Sequence, residues 1–138
     1  MDAQRDCLFC RIAAGEIPAT VVHEDERTLA FMDIAPANPG HVLVVPRAHA
    51  TSLLDIGTGD LAACAEAARK IAARMTERLG AEGINLLNSS GEAAWQTVMH
   101  FHLHVIPRYA EDPLRLPWTP QAGDPGDVAK VASKLLRD

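Results

Sequence analysis

The run His100-Phe101-His102-Leu103-His104-Val105-Ile106 constrains this chain more than any other stretch. Its alternation of polar and apolar residues has the period of a β-strand with one buried face. Residues 100, 102 and 104 then share one face, and Phe101, Leu103 and Val105 take the other. Three of the chain's six histidines fall within these five residues. A sheet face that merely happens to be polar accounts poorly for that clustering, because histidine is uncommon in strands.

Two chemical readings compete for the run. A single metal held by all three rings fails on distance. At ~3.3 Å per residue, residues 100 and 104 stand ~13 Å apart along a regular strand, beyond the reach of ~2.1 Å bonds to one ion. A division of roles has no such difficulty. The middle ring can act as a nucleophile, since a neutral imidazole with an ordinary pKa of ~6.5 is nucleophilic near neutrality. Attack needs one ring nitrogen free and the other held by a hydrogen bond.

The remaining pattern predicts an α+β arrangement. Residues 7–14 read as a short helix stopped by Gly15 and Pro18. Residues 21–24 and 28–33 read as a hairpin about an acidic turn, and 41–45 as a strand ended by Pro46. Leu61, Cys64, Ala65, Ala68, Ile71, Ala72, Met75 and Leu79 recur every three or four positions, which predicts one long helix over 60–79. Asp60 is its expected N-cap and Gly80 its C-terminal glycine. Residues 84–87 and 100–107 read as further strands. Four prolines (113, 117, 120 and 125) predict irregular chain over 112–126, and a short helix follows over 127–137.

Composition narrows the class. With 138 residues, 48% of them hydrophobic, the chain reads as one domain with a full core. A net charge of −5 does not suit broad contact with nucleic acid, although a local site can still hold one phosphate. No apolar run reaches the ~20 residues of a membrane span. The opening MDAQRDCLFC mixes acid and base before any apolar stretch, so no signal peptide is expected and the reading is cytoplasmic. Three cysteines do not make a disulfide framework. Cys7-x-x-Cys10 has metal-ligand spacing, but that spacing also serves redox motifs. Cys64, on the apolar face of the long helix, is expected in the core.

The histidine run resembles the signature of the histidine triad (HIT) family, His-φ-His-φ-His-φ-φ with φ apolar, at every position. Cys7 to Pro18, Phe31 to Ile34, Gly40 to Pro46 and Asn88 to Gly91 resemble further family segments in the same order. The likeness covers residues 5–110 as the core of a single domain over 1–138; the tail and helix of 111–138 fall outside it. The resemblance implies a mainly antiparallel sheet with one long helix and a short C-terminal helix, pairing as a homodimer with one extended sheet. It implies that His102 attacks the α-phosphorus of a purine nucleotide and forms a nucleotidyl-histidine that water then hydrolyses. His104 contacts phosphate and helps proton movement. Gln96, near the leaving group, and Thr97 precede the triad as a phosphate-contacting pair. Asn88 contacts phosphate or ribose, Asp33 accepts the ribose hydroxyls, and Phe31 and Ile34 offer an apolar slot for the base. Catalysis requires no metal of its own.

Relatives that keep the two cysteines imply a structural zinc ion on Cys7, Cys10, His49 and His100, a closed Cys₂His₂ set. The activity implied is hydrolysis of nucleoside 5′-phosphoramidates of the AMP-lysine or AMP-NH₂ type. A dinucleoside polyphosphate hydrolase would use His102 in the same way with another leaving group. A nucleotide-binding scaffold or a zinc-stabilised interaction module would not need it to react. Trp95 stands where some relatives keep a small residue, which narrows the leaving-group side. The family's habit also carries the tail, with Trp118, toward a partner subunit's pocket.

Overall fold

A computed structural model describes residues 5–137. Residues 1–4, part of the stretch behind the expected absence of a signal peptide, lie outside the described residues. Five strands form one sheet in the order β1-β2-β3-β5-β4, and every neighbouring pair is antiparallel. They are β1 (Val21–Glu24), β2 (Thr28–Met32), β3 (Val42–Pro46), β4 (Gly83–Leu87) and β5 (Leu103–Arg108). Among the described residues, three α-helices of six or more residues accompany them: α1 (Leu8–Ala13), α2 (Thr58–Leu79) and α3 (Pro125–Leu135). The α+β architecture with one long helix and a short C-terminal helix is the one expected from the sequence.

Alternation along the central strands divides the core between two faces. Ala30, Val42, Val44, Leu103 and Val105 face α2 and pack on its Cys64, Ala67, Ala68, Ile71 and Met75. Leu29, Phe31, Leu43 and Val45 face the other way and are covered by Cys7 and Phe9 of the N-terminal segment. With both faces covered, β2 and β3 read as near-continuous apolar runs. Helix α2 ends as expected, with Gly80 left-handed at φ 69° and its N–H on the Met75 carbonyl. Its start differs: Gly57 is the N-cap, and Asp60 lies inside the first turn, where its carboxylate accepts from Arg27 Nε at 2.8 Å. An acid there still complements the helix dipole without capping it.

The histidine strand is shorter than expected. Pairing begins at Leu103, opposite Val44, so His100 and His102 precede the strand. Beyond Val44 the would-be partner is Pro46, which has no N–H to give. Its carbonyl takes His100 Nε2 at 2.8 Å, and the N–H of Phe101 turns to Ala50 O at 2.7 Å. The segment keeps its alternation without ladder bonds, and Phe101 remains fully buried on the α2 side.

The segment between Asp112 and Pro125 is irregular, as its prolines predict. Helix α3 begins at Pro125 under an Asp124 cap, two residues earlier than expected. Among the described residues no helix is long and apolar enough to cross a membrane.

Candidate functional site

Four sulfur and nitrogen ligands converge where α1 meets the segment before β5. Cys7 Sγ lies 3.2 Å from His100 Nδ1, and Cys10 Sγ lies 3.3 Å from His49 Nδ1 and 3.4 Å from His100 Nδ1. All four ligand atoms stand within 4.8 Å of one another. Bonds of ~2.3 Å to sulfur and ~2.1 Å to nitrogen about a tetrahedral ion set these separations near ~3.5 Å. The tautomer also fits: His100 Nε2–H donates to the Pro46 carbonyl, which can only accept, so Nδ1 presents a lone pair to the thiols. Burial and then the adjacent Cys7 push the Cys10 thiol up to about 12. Two thiolates do not persist side by side there without a cation to replace their protons. The Cys7, Cys10, His49 and His100 set could therefore hold a metal.

Cys64 is different. It is fully buried on the sheet-facing side of α2, its thiol raised to about 12 first by burial, and it is a core residue as expected.

The second centre holds His102, His104 and a residue that the sequence reading did not single out, His41. The ring centroids of His102 and His104 are 5.0 Å apart. His102 Nδ1 lies 2.7 Å from the carbonyl of His100, and a carbonyl only accepts, so the proton of the neutral ring sits on Nδ1. Nε2 keeps its lone pair and has no hydrogen-bond partner among the described residues. No buried side-chain nitrogen or oxygen there lacks a partner, so Nε2 reaches solvent. Burial lowers the His102 pKa, outweighing the bond to the His100 carbonyl and the Asp33 charge, which act in the opposite sense, and keeps the ring neutral.

A relay fixes the neighbouring rings in turn. The N–H of Ala37 donates to His41 Nδ1 at 3.0 Å, so neutral His41 carries its proton on Nε2. That N–H points at His104 Nδ1; His41 Nε2 lies 3.0 Å from it and 3.5 Å from Asp33 Oδ2. His104 must then accept at Nδ1 and carry its own proton on Nε2. Burial first, then His102 and His41, lower the His104 pKa to about 4. The result is a lone pair on His102 beside an N–H donor on His104, both on neutral rings. Asp33, His41 and His104 also have metal-ligand geometry. The relay weighs against an ion there, because the proton that Ala37 imposes on His41 Nε2 occupies the nitrogen an ion would need.

The other expected residues are placed as follows. Asn88 Nδ2 donates to the His102 carbonyl at 3.0 Å, so it anchors the backbone of His102. Gln96 is buried and its amide is fully engaged: Oε1 accepts from Gly91 N–H at 2.8 Å, and Nε2 donates to Thr51 O at 2.7 Å and Val98 O at 3.1 Å. Contact with a phosphate would require it to exchange one of these bonds. Thr97 is exposed and lines a cavity beside Cys7 and His49. Asp33 accepts from the Ala35 N–H with Oδ1 and faces His41 with Oδ2. Phe31 is buried against Phe9, with ring centroids 5.4 Å apart, whereas Ile34 is fully exposed. Phe9 also stands edge-on to His102 at 5.1 Å and to His100 at 5.9 Å. The N-terminal segment is therefore a wall of both centres.

Two residues of this region escaped the sequence reading or differ from it. His41, read from the sequence only as the first residue of the 41–45 strand, stands just before β3, and only its proximity to His104 marks it as part of the site. The stacking of Trp118 on Trp95 of the same chain, centroids 6.2 Å apart and planes 24° apart, likewise escaped the sequence reading. Trp95 itself has a left-handed backbone, φ 73°.

Fold and site together define a small α+β protein with a Cys₂His₂ ligand set next to a neutral, solvent-reaching histidine pair. The HIT domain family model matches residues 14–111, and the chain belongs to that family. Its relatives include the adenosine 5′-monophosphoramidase hnt1 of Schizosaccharomyces pombe, 32% identical over 94% of this chain and 95% of that protein. A solved HIT-family structure from Bacillus subtilis superposes with a TM-score of 0.86 at 37% identity, covering 94% of each chain. A zinc-bound histidine triad family structure from Mycobacterium smegmatis superposes with a TM-score of 0.78 at 37% identity, covering 96% of each.

Proposed function

We propose that this protein hydrolyses nucleoside 5′-phosphoramidates, of the AMP-lysine or AMP-NH₂ type, through a covalent nucleotidyl-histidine on His102. The observation that carries the reading is the 2.7 Å bond from His102 Nδ1 to the His100 carbonyl, which leaves Nε2 with a lone pair open to solvent. Nε2 attacks the α-phosphorus, the P–N bond breaks, and the amine leaves with a proton supplied from the His104 side. Water then attacks the same phosphorus, the bond to His102 breaks, and the nucleoside monophosphate is released. Splitting the displacement in two replaces one poor step by two easier ones.

In this reading His104 Nε2–H faces the phosphate oxygens or the leaving nitrogen, and Asn88 holds the His102 backbone in register. Asp33 meets the ribose hydroxyls, a donor pair that suits a carboxylate. Ile34, its apolar surface bare, and Phe31, buried against Phe9, are the residues offered to a purine base. Gln96 and Thr97 are the phosphate-contacting pair on the preceding loop. The named activity of the fission-yeast relative favours a P–N substrate over a dinucleoside polyphosphate. We take the metal to be a structural zinc ion on Cys7, Cys10, His49 and His100, supported by the zinc-bound relative, with no step of the chemistry passing through it. The exposed β4 edge is the place for a second copy to extend the sheet.

Mass spectrometry of protein quenched during turnover of adenosine 5′-phosphoramidate tests the proposal. Addition of one AMP to the peptide carrying His102 is expected. Turnover with no such adduct on any residue, under single-turnover conditions, would overturn it. Parallel assays with diadenosine polyphosphates separate the two leaving-group classes.

A further inference from the structure

The loop that carries Ala37 is exposed along most of its length. Of residues 34–40 only Asn38 is buried. Its side chain anchors the loop: Nδ2 donates to the Pro107 carbonyl at 3.0 Å and to Asp112 Oδ2 at 2.8 Å. A carbonyl and an ionised carboxylate both only accept, so the amide must turn its nitrogen to them. Just past the end of β5, Tyr109 O–H donates to the Pro39 carbonyl at 3.0 Å and fastens the same loop.

Asp112 is itself held firmly. Its side chain is only 5% exposed. Oδ1 accepts from Arg108 Nη2 and Oδ2 from Arg108 Nε, both at 2.8 Å, a bidentate pair. The N–H groups of Tyr109 and Leu114 close on the same carboxylate at 2.9 and 3.2 Å. A side chain fixed in this way can fix the group it bonds in turn. The family match ends at residue 111, one residue short of Asp112.

Asn38 passes this constraint to the histidine relay through the backbone. Its carbonyl accepts the His41 N–H at 3.1 Å, across Pro39 and a left-handed Gly40 (φ 98°), the residue order of a type II turn. Ala37, next to Asn38, donates its N–H to His41 Nδ1 at 3.0 Å. Strand pairing does not supply this. The ladder between β3 and β5 begins at Val42↔Val105, so it sets where the His41 ring stands. Which nitrogen carries the proton is set by the bond that the other nitrogen makes.

We infer that Asp112, acting through Asn38, is a positioning residue for the His41–His104 pair. It keeps the Ala37 N–H on His41 Nδ1 and so keeps the relay's donor on His41 Nε2. With the anchor cut, the exposed loop swings away, Nδ1 loses its partner, and the ring exchanges between its two neutral forms. His104 Nδ1 then no longer faces a constant donor. The kinetic consequence rests on the proposed role of His104, whereas the effect on the His41 ring does not.

Asn38→Ala in the full chain tests the inference, because it cuts the anchor and leaves the Arg108–Asp112 pair standing. Asp112→Ala cuts the same link from the other side and serves if the first variant does not fold. Ring-nitrogen NMR on protein carrying isotope-labelled histidine reads the proton directly, with His41 assigned by the signals lost in His41→Gln. In the parent, His41 should show one bare and one protonated nitrogen. In the variants the two signals should move toward each other, and kcat should fall roughly 5- to 20-fold with KM within about two-fold. A merely structural tie would lower the urea midpoint and leave both signals in place, and that result would overturn the inference. Shifted signals with an unchanged kcat would uphold Asp112 as a positioning residue and count against proton delivery by His104, so the two readings fail separately.

Discussion

The Nε2 of His41 lies 3.0 Å from His104 Nδ1, and the backbone N–H of Ala37 settles which ring donates. In the proposed mechanism His41 is a positioning residue: it sets the proton of His104 and meets no substrate atom itself. His41→Gln should lower kcat by roughly 10- to 100-fold and leave KM within a few-fold, the pattern of lost proton delivery. Steady-state kinetics with a phosphoramidate check this. An unchanged kcat would remove His41 from the relay.

His102→Ala should remove turnover by at least about 10³-fold while nucleotide affinity stays within a few-fold, because the ring supplies a bond made only during reaction. Calorimetric titration with AMP and single-turnover assays separate the two effects. A variant that still turns over at a tenth of the normal rate is incompatible with a nucleophilic His102.

Stability should depend on pH through His104. Burial foremost, aided by His102 and His41, holds its pKa at about 4, against ~6.5 in the unfolded chain. Between those values the unfolded chain takes up a proton that the native state refuses. Stability is then full above pH ~6.5 and declines as the pH falls toward about 4. Urea midpoints at pH 7.5, 6 and 5 should show this decline, and it should shrink in His104→Gln. An identical decline in the variant would assign the effect elsewhere.

Cys10→Ser should reduce the bound metal to well below one ion per chain. The melting temperature should fall by roughly 10 °C, the shift expected for about 3 kcal/mol in a domain of this size. Elemental analysis and a thermal melt measure both. If chelation of the parent protein leaves its melting temperature unmoved, the Cys₂His₂ set holds no structural ion.

Gly40→Ala should destabilise the fold by about 1–3 kcal/mol. Gly40 has φ 98°, and an added Cβ would meet Leu79 Cδ1 at 2.7 Å and Pro107 Cγ at 3.1 Å. Chemical denaturation would show the loss as a lower midpoint.

Much of this arrangement is legible in the sequence because it follows from local period. Residues 60–79 spell out a helix, and the fully buried Phe101, Leu103 and Val105 side follows from simple alternation. The four ligands that meet around His100 come from the family likeness rather than from spacing. What escaped depends on partners distant in sequence. Alternation runs through His100 and His102, yet pairing starts only at Leu103, because Pro46 offers no N–H there. Asp60 looks like an N-cap but is taken by Arg27, 33 residues away. His41 stands alone in the sequence, and only the antiparallel register Leu43↔His104 brings it near the triad. The engagement of the Gln96 amide by three backbone groups is likewise invisible before the loop is closed.

Phe9 sits edge-on to His100 and His102, between two cysteines that precede the HIT-matched region starting at residue 14. A chain trimmed to residues 14–111 would keep the whole histidine run and still lose Cys7 and Cys10 of the Cys₂His₂ set and the aromatic side of the His102 niche. The minimal working unit of this protein is thus wider than its family signature, and excising that signature would yield a sheet with an uncovered flank.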